Sequence, residues 1–127
     1  MNARAFLAYA NTEIETGVAV ASSHELLIYT YERVIDCLHR AHAQLKNGED
    51  CADVIDRALL LIEKGLRACL DFEAGGEIAK NLSIIYDWAS RELLRARIRK
   101  DPELIADVER VLVPLVEAWR AIHDRTP

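Results

Sequence analysis

The chain has 127 residues, 51% of them hydrophobic, with only 5 Gly and 3 Pro: room for one domain with one core, and too few breakers for a linker or a repeat array. Its 16 basic residues against 21 acidic, net −5, exclude a general attraction for nucleic acid or for an anionic membrane surface. Three Cys, an odd number, argue against a disulfide framework and for a reduced, cytoplasmic setting, while no apolar run approaches the roughly 20 residues that span a bilayer.

In chain order, residues 1–20 come first. The opening "MNARAFLAYANTEIE" has one Arg, a broken apolar run and early acids, so it makes a poor signal peptide. With Phe6, Leu7, Tyr9 and Ile14 it reads as a short helix or arm with an apolar side. From "SSHELL" onward the spacing is helical. Ser22 or Ser23 is the expected cap, and Leu27, Tyr31, Val34, Leu38, Ala41 and Leu45 fall on one stripe. Asn47 and Gly48 suit a left-handed stop.

A second helix is predicted from Asp50 or Asp53, on Ile55, Leu59, Ile62, Leu66 and Cys69. A third starts at Gly76 and Glu77 and carries Ile78, Leu82, Ile85, Ala89, Leu93 and Ala96. The fourth has a strong start in Asp101, Pro102 and Glu103, with the stripe Leu104, Val108, Val111, Leu115, Ala118 and Ile122. Pro114 inside it removes one backbone donor, so a kink is expected there. Four amphipathic helices on short loops predict an all-α fold, an antiparallel four-helix up-down bundle over residues 21–127 with the N-terminal arm over 1–20.

Little of the sequence points to chemistry. A phosphate cradle needs a glycine loop after a strand and a Lys on the phosphates. "EAGGE" has neither, and Glu77 sets a negative charge where the anion would be, so Gly75 and Gly76 read as a corner between helices. "DCLHRAH" offers Cys37, His39 and His42, but Asp36 and His39 lie off the apolar stripe. Cys37 and His39 point about 200° apart, and no second helix brings a matching Glu-x-x-His. His24 and His123 fall near helix ends. Arg91, Arg95, Arg97, Arg99 and Lys100 crowd the end of the third helix, as cations against the helix dipole or, less simply, as a contact for an acidic partner. No catalytic set, metal or cofactor is assigned.

The helices also hold more apolar residues than one stripe needs: Ile28 and Ile35 on the first, Ile84, Tyr86 and Trp88 on the third, Ile105, Leu112, Val116 and Trp119 on the fourth. Either they widen the core, or they line a groove that accepts a helix from outside.

"GLRACLDFEAGGEIAKNLSIIYDWASRELLRA" closely resembles the hallmark region of the FliS family, the flagellin-specific export chaperones of bacteria, through Gly65, Leu66, Asp71, Gly75, Gly76, Glu77, Ile78, Ala79, Asn81, Leu82, Tyr86, Asp87 and Trp88. "AYANTEIETGVAVASSHELLIYTYERVIDCLHRA", with Tyr9 and Glu15, is similar to the family's opening, and "VERVLVPLVEAWRAI" to its ending. Ser23 stands where the family often has Pro; the Tyr29 and Tyr31 pair and Pro114 are less usual and bear on the shape of the groove. The resemblance implies a cytoplasmic four-helix bundle that is not an enzyme. Its client would be the disordered C-terminal segment of flagellin, kept from premature polymerisation and passed to the flagellar type III export gate, with room for a regulator or co-chaperone. It would be a monomer or weak dimer, with no nucleic acid and no membrane insertion.

The residues expected to meet the client, or the arm in its place, are Phe6, Tyr9, Ile14, Leu27, Ile28, Tyr31, Ile35, Asn81, Leu82, Ile85, Tyr86, Leu93, Leu112 and Trp119. For Leu27, Tyr31, Leu82 and Leu93 plain core is the competing role, and for Asn81 a bond to a loop carbonyl. The arm is expected to cover part of the groove and move when the client binds, and Asn81 and Tyr86 to fix register by polar contacts. The rival readings are a small helical dimeric interaction module and, less simply, a metal-binding helical bundle.

Overall fold

A computed structural model describes residues 23–125, which form helices and turns with no strand among them. Helix α1 is Ser23–Lys46 and α2 is Ala52–Leu60. Helix α2 runs on without a break into a wide π-helical segment, Leu61–Leu66, and a tight 3₁₀ turn, Arg67–Cys69. Helix α3 is Phe72–Arg99 and α4 is Pro102–Arg125. The expected arm over 1–20, with Phe6, Tyr9 and Ile14, and the Ser22 cap lie outside the described residues.

The stops and starts follow local chemistry. Gly48 takes φ 73°, its N–H donating to the Leu45 carbonyl at 3.1 Å, while the Glu49 N–H reaches back to Gln44 O at 2.8 Å. Those two bonds close the last turn of α1 with a residue that has no side chain to resist a left-handed backbone. Asp50 Oδ1 accepts from the Ala52 N–H at 3.1 Å and opens α2. Asp101 Oδ1 accepts from the Glu103 N–H at 3.0 Å, and Pro102 follows at a position that needs no donor. Between α3 and α4 the left-handed residue is Lys100, at φ 55°, a conformation that strains any residue with a Cβ. Pro114 is exposed, and α4 continues on both sides of it, with its missing donor on the solvent side.

Helix α1 packs most extensively on α4 and next on α2, and α3 packs on α4. Polar contacts join the helices along their lengths. His24 Nε2 meets the Trp119 carbonyl at 2.8 Å, Glu32 meets Arg120 at 2.8 Å, and His39 meets Glu109 at 3.3 Å. Across the α2–α3 seam the Asp56–Arg97 ion pair spans 3.0 Å, and Ser90 Oγ donates to Glu63 at 3.0 Å. The core is built from Tyr31, Val34 and Leu38 of α1, Ile55 and Ile62, Leu93 of α3, and Ile105, Val108 and Leu112 of α4. Each such aliphatic side chain, taken fully out of water, contributes about 1.5–3 kcal/mol.

The buried line of α4 differs from the expected one. Ile105, Val108, Leu112 and Val116 are buried, Leu104, Val111 and Leu115 are partly so, and Ala118 and Ile122 are exposed. Both sets repeat at helical spacing, so periodicity alone does not choose between them. Contact with α1 and α3 does. Ile105, Leu112 and Val116 are therefore core, not spare surface.

Candidate functional site: an apolar cleft at the open end of the helices

The cleft is shaped by the corner between α2 and α3. After the 3₁₀ turn the backbone straightens at Leu70 (ψ 132°) and Asp71 (φ −112°, ψ 101°). The Asp71 carboxylate then accepts from the N–H groups of Glu73 and Ala74, each at 3.0 Å, and starts one helical turn. At Gly76 the turn breaks, with φ 50° and ψ −123°, a backbone open in practice only to glycine. Gly75 is needed for a different reason: a Cβ there would lie 2.9 Å from that of Ala79. The glycine pair is thus a corner, as expected, but α3 begins a turn earlier, at Phe72, with its break inside.

Beside this corner opens a cleft of about 290 Å³, lined by Leu27 of α1, Leu66, Cys69 and Leu70 from the end of α2, Gly75, Ile78 and Leu82 of α3, and Trp119 of α4. Ile78, in the lining, is 66% exposed, a large apolar side chain turned to water; Phe72, at the start of α3, is 54% exposed. Isolated exposed apolar residues are ordinary; a concave group of them marks a binding surface.

One wall is pinned by Arg67. Its Nε donates to Glu63 at 3.0 Å, one terminal nitrogen to Ser83 Oγ at 2.6 Å, and the other to the Ser83 carbonyl at 3.2 Å and to the Asp87 carboxylate. That fork holds the last turn of α2 on α3, and with it Leu66, Cys69 and Leu70. Periodicity could not single out Arg67, whose partners across the corner, Ser83 and Asp87, are 16 and 20 residues away.

Three of the expected partner-binding residues, Leu27, Leu82 and Trp119, come together in this cleft. Ile28, Ile35 and Ile85 are half-buried flanks of the core, and Asn81 is exposed on α3 with no hydrogen bond to a loop carbonyl among the described residues. Tyr31, Tyr86, Leu93 and Leu112 are buried in the core, which for Tyr31 and Leu93 is the competing role weighed in the sequence. Tyr86 does not offer its hydroxyl outward. It shares a 2.5 Å hydrogen bond with the hydroxyl of Tyr31, and burial pushes both phenols up, Tyr86 furthest. Of the excess apolar residues, Tyr86, Ile105, Leu112 and Val116 widen the core, Trp119 lines the cleft, and Ile84 is exposed outside it. Leu66, Leu70 and Ile78 were missed as lining, although all three stand within the hallmark stretch.

The polar candidates are separate. Asp36 and His39 face solvent while Cys37 is buried, its thiol pushed up by burial. Cys69 lines the cleft and is raised for the same reason. Among the described residues no group of three His, Cys, Asp or Glu side chains could hold a metal ion, and no helix is long and apolar enough to cross a membrane.

Comparison with known proteins agrees with the hallmark. The family described as flagellar protein FliS matches residues 5–126. The flagellar secretion chaperone FliS of Salmonella typhimurium is 39% identical over 120 residues, 93% of this chain and 89% of that protein. Its namesake in Escherichia coli is 32% identical over 89% of this chain and 85% of its own length, and the flagellar secretion chaperone FliSB of Pseudomonas aeruginosa is 28% identical over 94% and 95%. The chain belongs to the FliS family of flagellar secretion chaperones.

Proposed function

We propose that this protein is a cytoplasmic export chaperone for flagellin and not an enzyme. It holds the disordered C-terminal segment of the client as helix against the cleft, and so removes the surface through which subunits would polymerise early. It then helps to present the subunit to the flagellar type III export gate, acting as a monomer or weak dimer that a regulator or co-chaperone can share. The four helices serve as an antiparallel up-down bundle, a stiff frame that needs no cofactor. Supporting this are the family, the relatives named as flagellar secretion chaperones, and above all the solvent-open apolar cleft of Leu27, Ile78, Leu82 and Trp119.

The energetics suit a disordered client. Ordering a free tail costs free energy with every residue fixed, so a large apolar contact is needed for a modest net affinity. Each Leu-sized side chain received into the cleft returns about 1.5–3 kcal/mol. In the absence of client the arm, with Phe6, Tyr9 and Ile14, would cover part of the same surface and leave when flagellin arrives.

Co-purification with full-length and tail-truncated flagellin tests the reading. Full-length flagellin should be retained and the truncated form lost. Ile78→Asp, at an exposed cleft position, should abolish retention with an unchanged melting curve. Capture of both forms, or of neither, would overturn it. Deleting residues 1–15 should change flagellin affinity or heat stability, and no change in either would remove the role given to the arm.

A further inference from the structure

The cationic end of α3 is not used by the cleft. Leu94 and Ile98, one helical turn apart, are 43% and 79% exposed, and Leu60 of α2 is 58% exposed. The Asp56–Arg97 ion pair and the Ser90–Glu63 hydrogen bond fix the α2–α3 register on either side of Leu60 and Leu94, which sets the two leucines at about the same level across the seam. Arg91, Arg95 and Arg99 follow at four-residue steps, a row of guanidinium groups beside the apolar row. Arg95 is held by Glu92 at 2.5 Å, but Arg91 and Arg99 have no carboxylate within ion-pair distance among the described residues. In a chain of net charge −5, an apolar row beside unneutralised cations stands out from the rest of the surface.

From this juxtaposition we propose that the outer face of the α2–α3 pair, Leu60, Leu94 and Ile98 bordered by Arg91 and Arg99, docks an acidic amphipathic helix of another protein. The apolar row meets the partner's apolar stripe, and the two free guanidinium groups meet carboxylates on its flank. A second copy of this chain is a poor occupant when the two-fold axis crosses the row, because that pairing would set arginine row against arginine row. Ile98 lies 20 residues beyond Ile78, about 30 Å along the helix at 1.5 Å per residue, so both surfaces have room to be occupied together. The inference does not rest on the flagellin reading.

The test uses the full chain and a labelled synthetic helix of roughly 18 residues, with a Leu stripe flanked by Glu, and its Gln counterpart, followed by fluorescence anisotropy. The Glu probe should bind, and the Gln probe about tenfold more weakly. Arg91→Glu combined with Arg99→Glu, and separately Ile98→Ser, should each cost the Glu probe about tenfold, while Ile78→Asp should leave it unchanged. All four positions are exposed, so melting curves should match the parent. No binding of the Glu probe, equal binding of both probes, or loss with Ile78→Asp would overturn the proposal. So would a dimer of the parent that Ile98→Ser dissolves, or binding of the parent to anionic vesicles that the arginine variant abolishes. Flagellin capture by the Arg91→Glu, Arg99→Glu variant should persist, so a failure here leaves the cleft untouched.

Discussion

The two ends of this molecule are made from the same helices and are finished differently. At one end α1 stops on Gly48 and α3 on Lys100, each by a left-handed residue with a back-reaching amide, and the side chains between, from Val34 to Ala41 and from Leu93 to Ala96, include a continuous buried line. At the other end α2 loosens into a π-helical segment, α3 breaks at Gly76, and Ile78 and Phe72 face water. The left-handed stops lie at one end, and the glycine corner with the proposed client cleft at the other. A helical frame can leave one end apolar and open because the other end keeps it folded.

Substitutions can break that contrast, or sharpen it. Leu38→Ala, in the packed half, leaves a cavity and should cost about 3 kcal/mol, read as a large drop in denaturation midpoint, while flagellin capture at low temperature persists. Arg67→Ala removes the fork that ties α2 to the cleft wall. It should cost about 2 kcal/mol and weaken client capture as well, and capture at full strength would show that the wall does not depend on it. Gly76→Ala forces a Cβ into a glycine-only backbone. The expected loss is about 1.5 kcal/mol, with amide exchange quickened around the corner and not at the Gly48 loop. Tyr86→Phe strands the Tyr31 hydroxyl and should cost about 1 kcal/mol in thermal melts, with client affinity unaltered because neither phenol faces the cleft. Smallest, and opposite in sign, Lys100→Gly relieves a left-handed lysine and should raise stability by about 0.5 kcal/mol.

How much could be read beforehand divides along the same line. The closed end was legible because its signals are local: Asn47 with Gly48, Asp101 with Pro102, and stripes that name Val34, Leu38, Ile55, Ile62 and Leu93. The open end was only partly so. That Gly75 and Gly76 make a corner follows from the sequence, but not that Asp71 first caps a separate turn. Nothing in "LIEKGL" announces a π-helical segment, since its bonds differ from those of an α-helix only in span. The α4 stripe was displaced because two apolar lines share that helix and only the neighbours decide. Tyr31 and Tyr86 meet across 55 residues, a distance at which periodicity is silent.

The π-helical stretch Leu61–Leu66 has one more effect. Wider turns advance the chain by a smaller angle per residue, so everything downstream is rotated relative to a straight continuation of α2. Ile55 and Ala58 upstream keep their inward aim, while Cys69 and Leu70 downstream line the opening. The stretch works like a gear between two sections of one shaft. Mutations there would retune the aim of the downstream section without disturbing the alignment of the upstream one, so the shape of the opening can drift while the frame stays as it is.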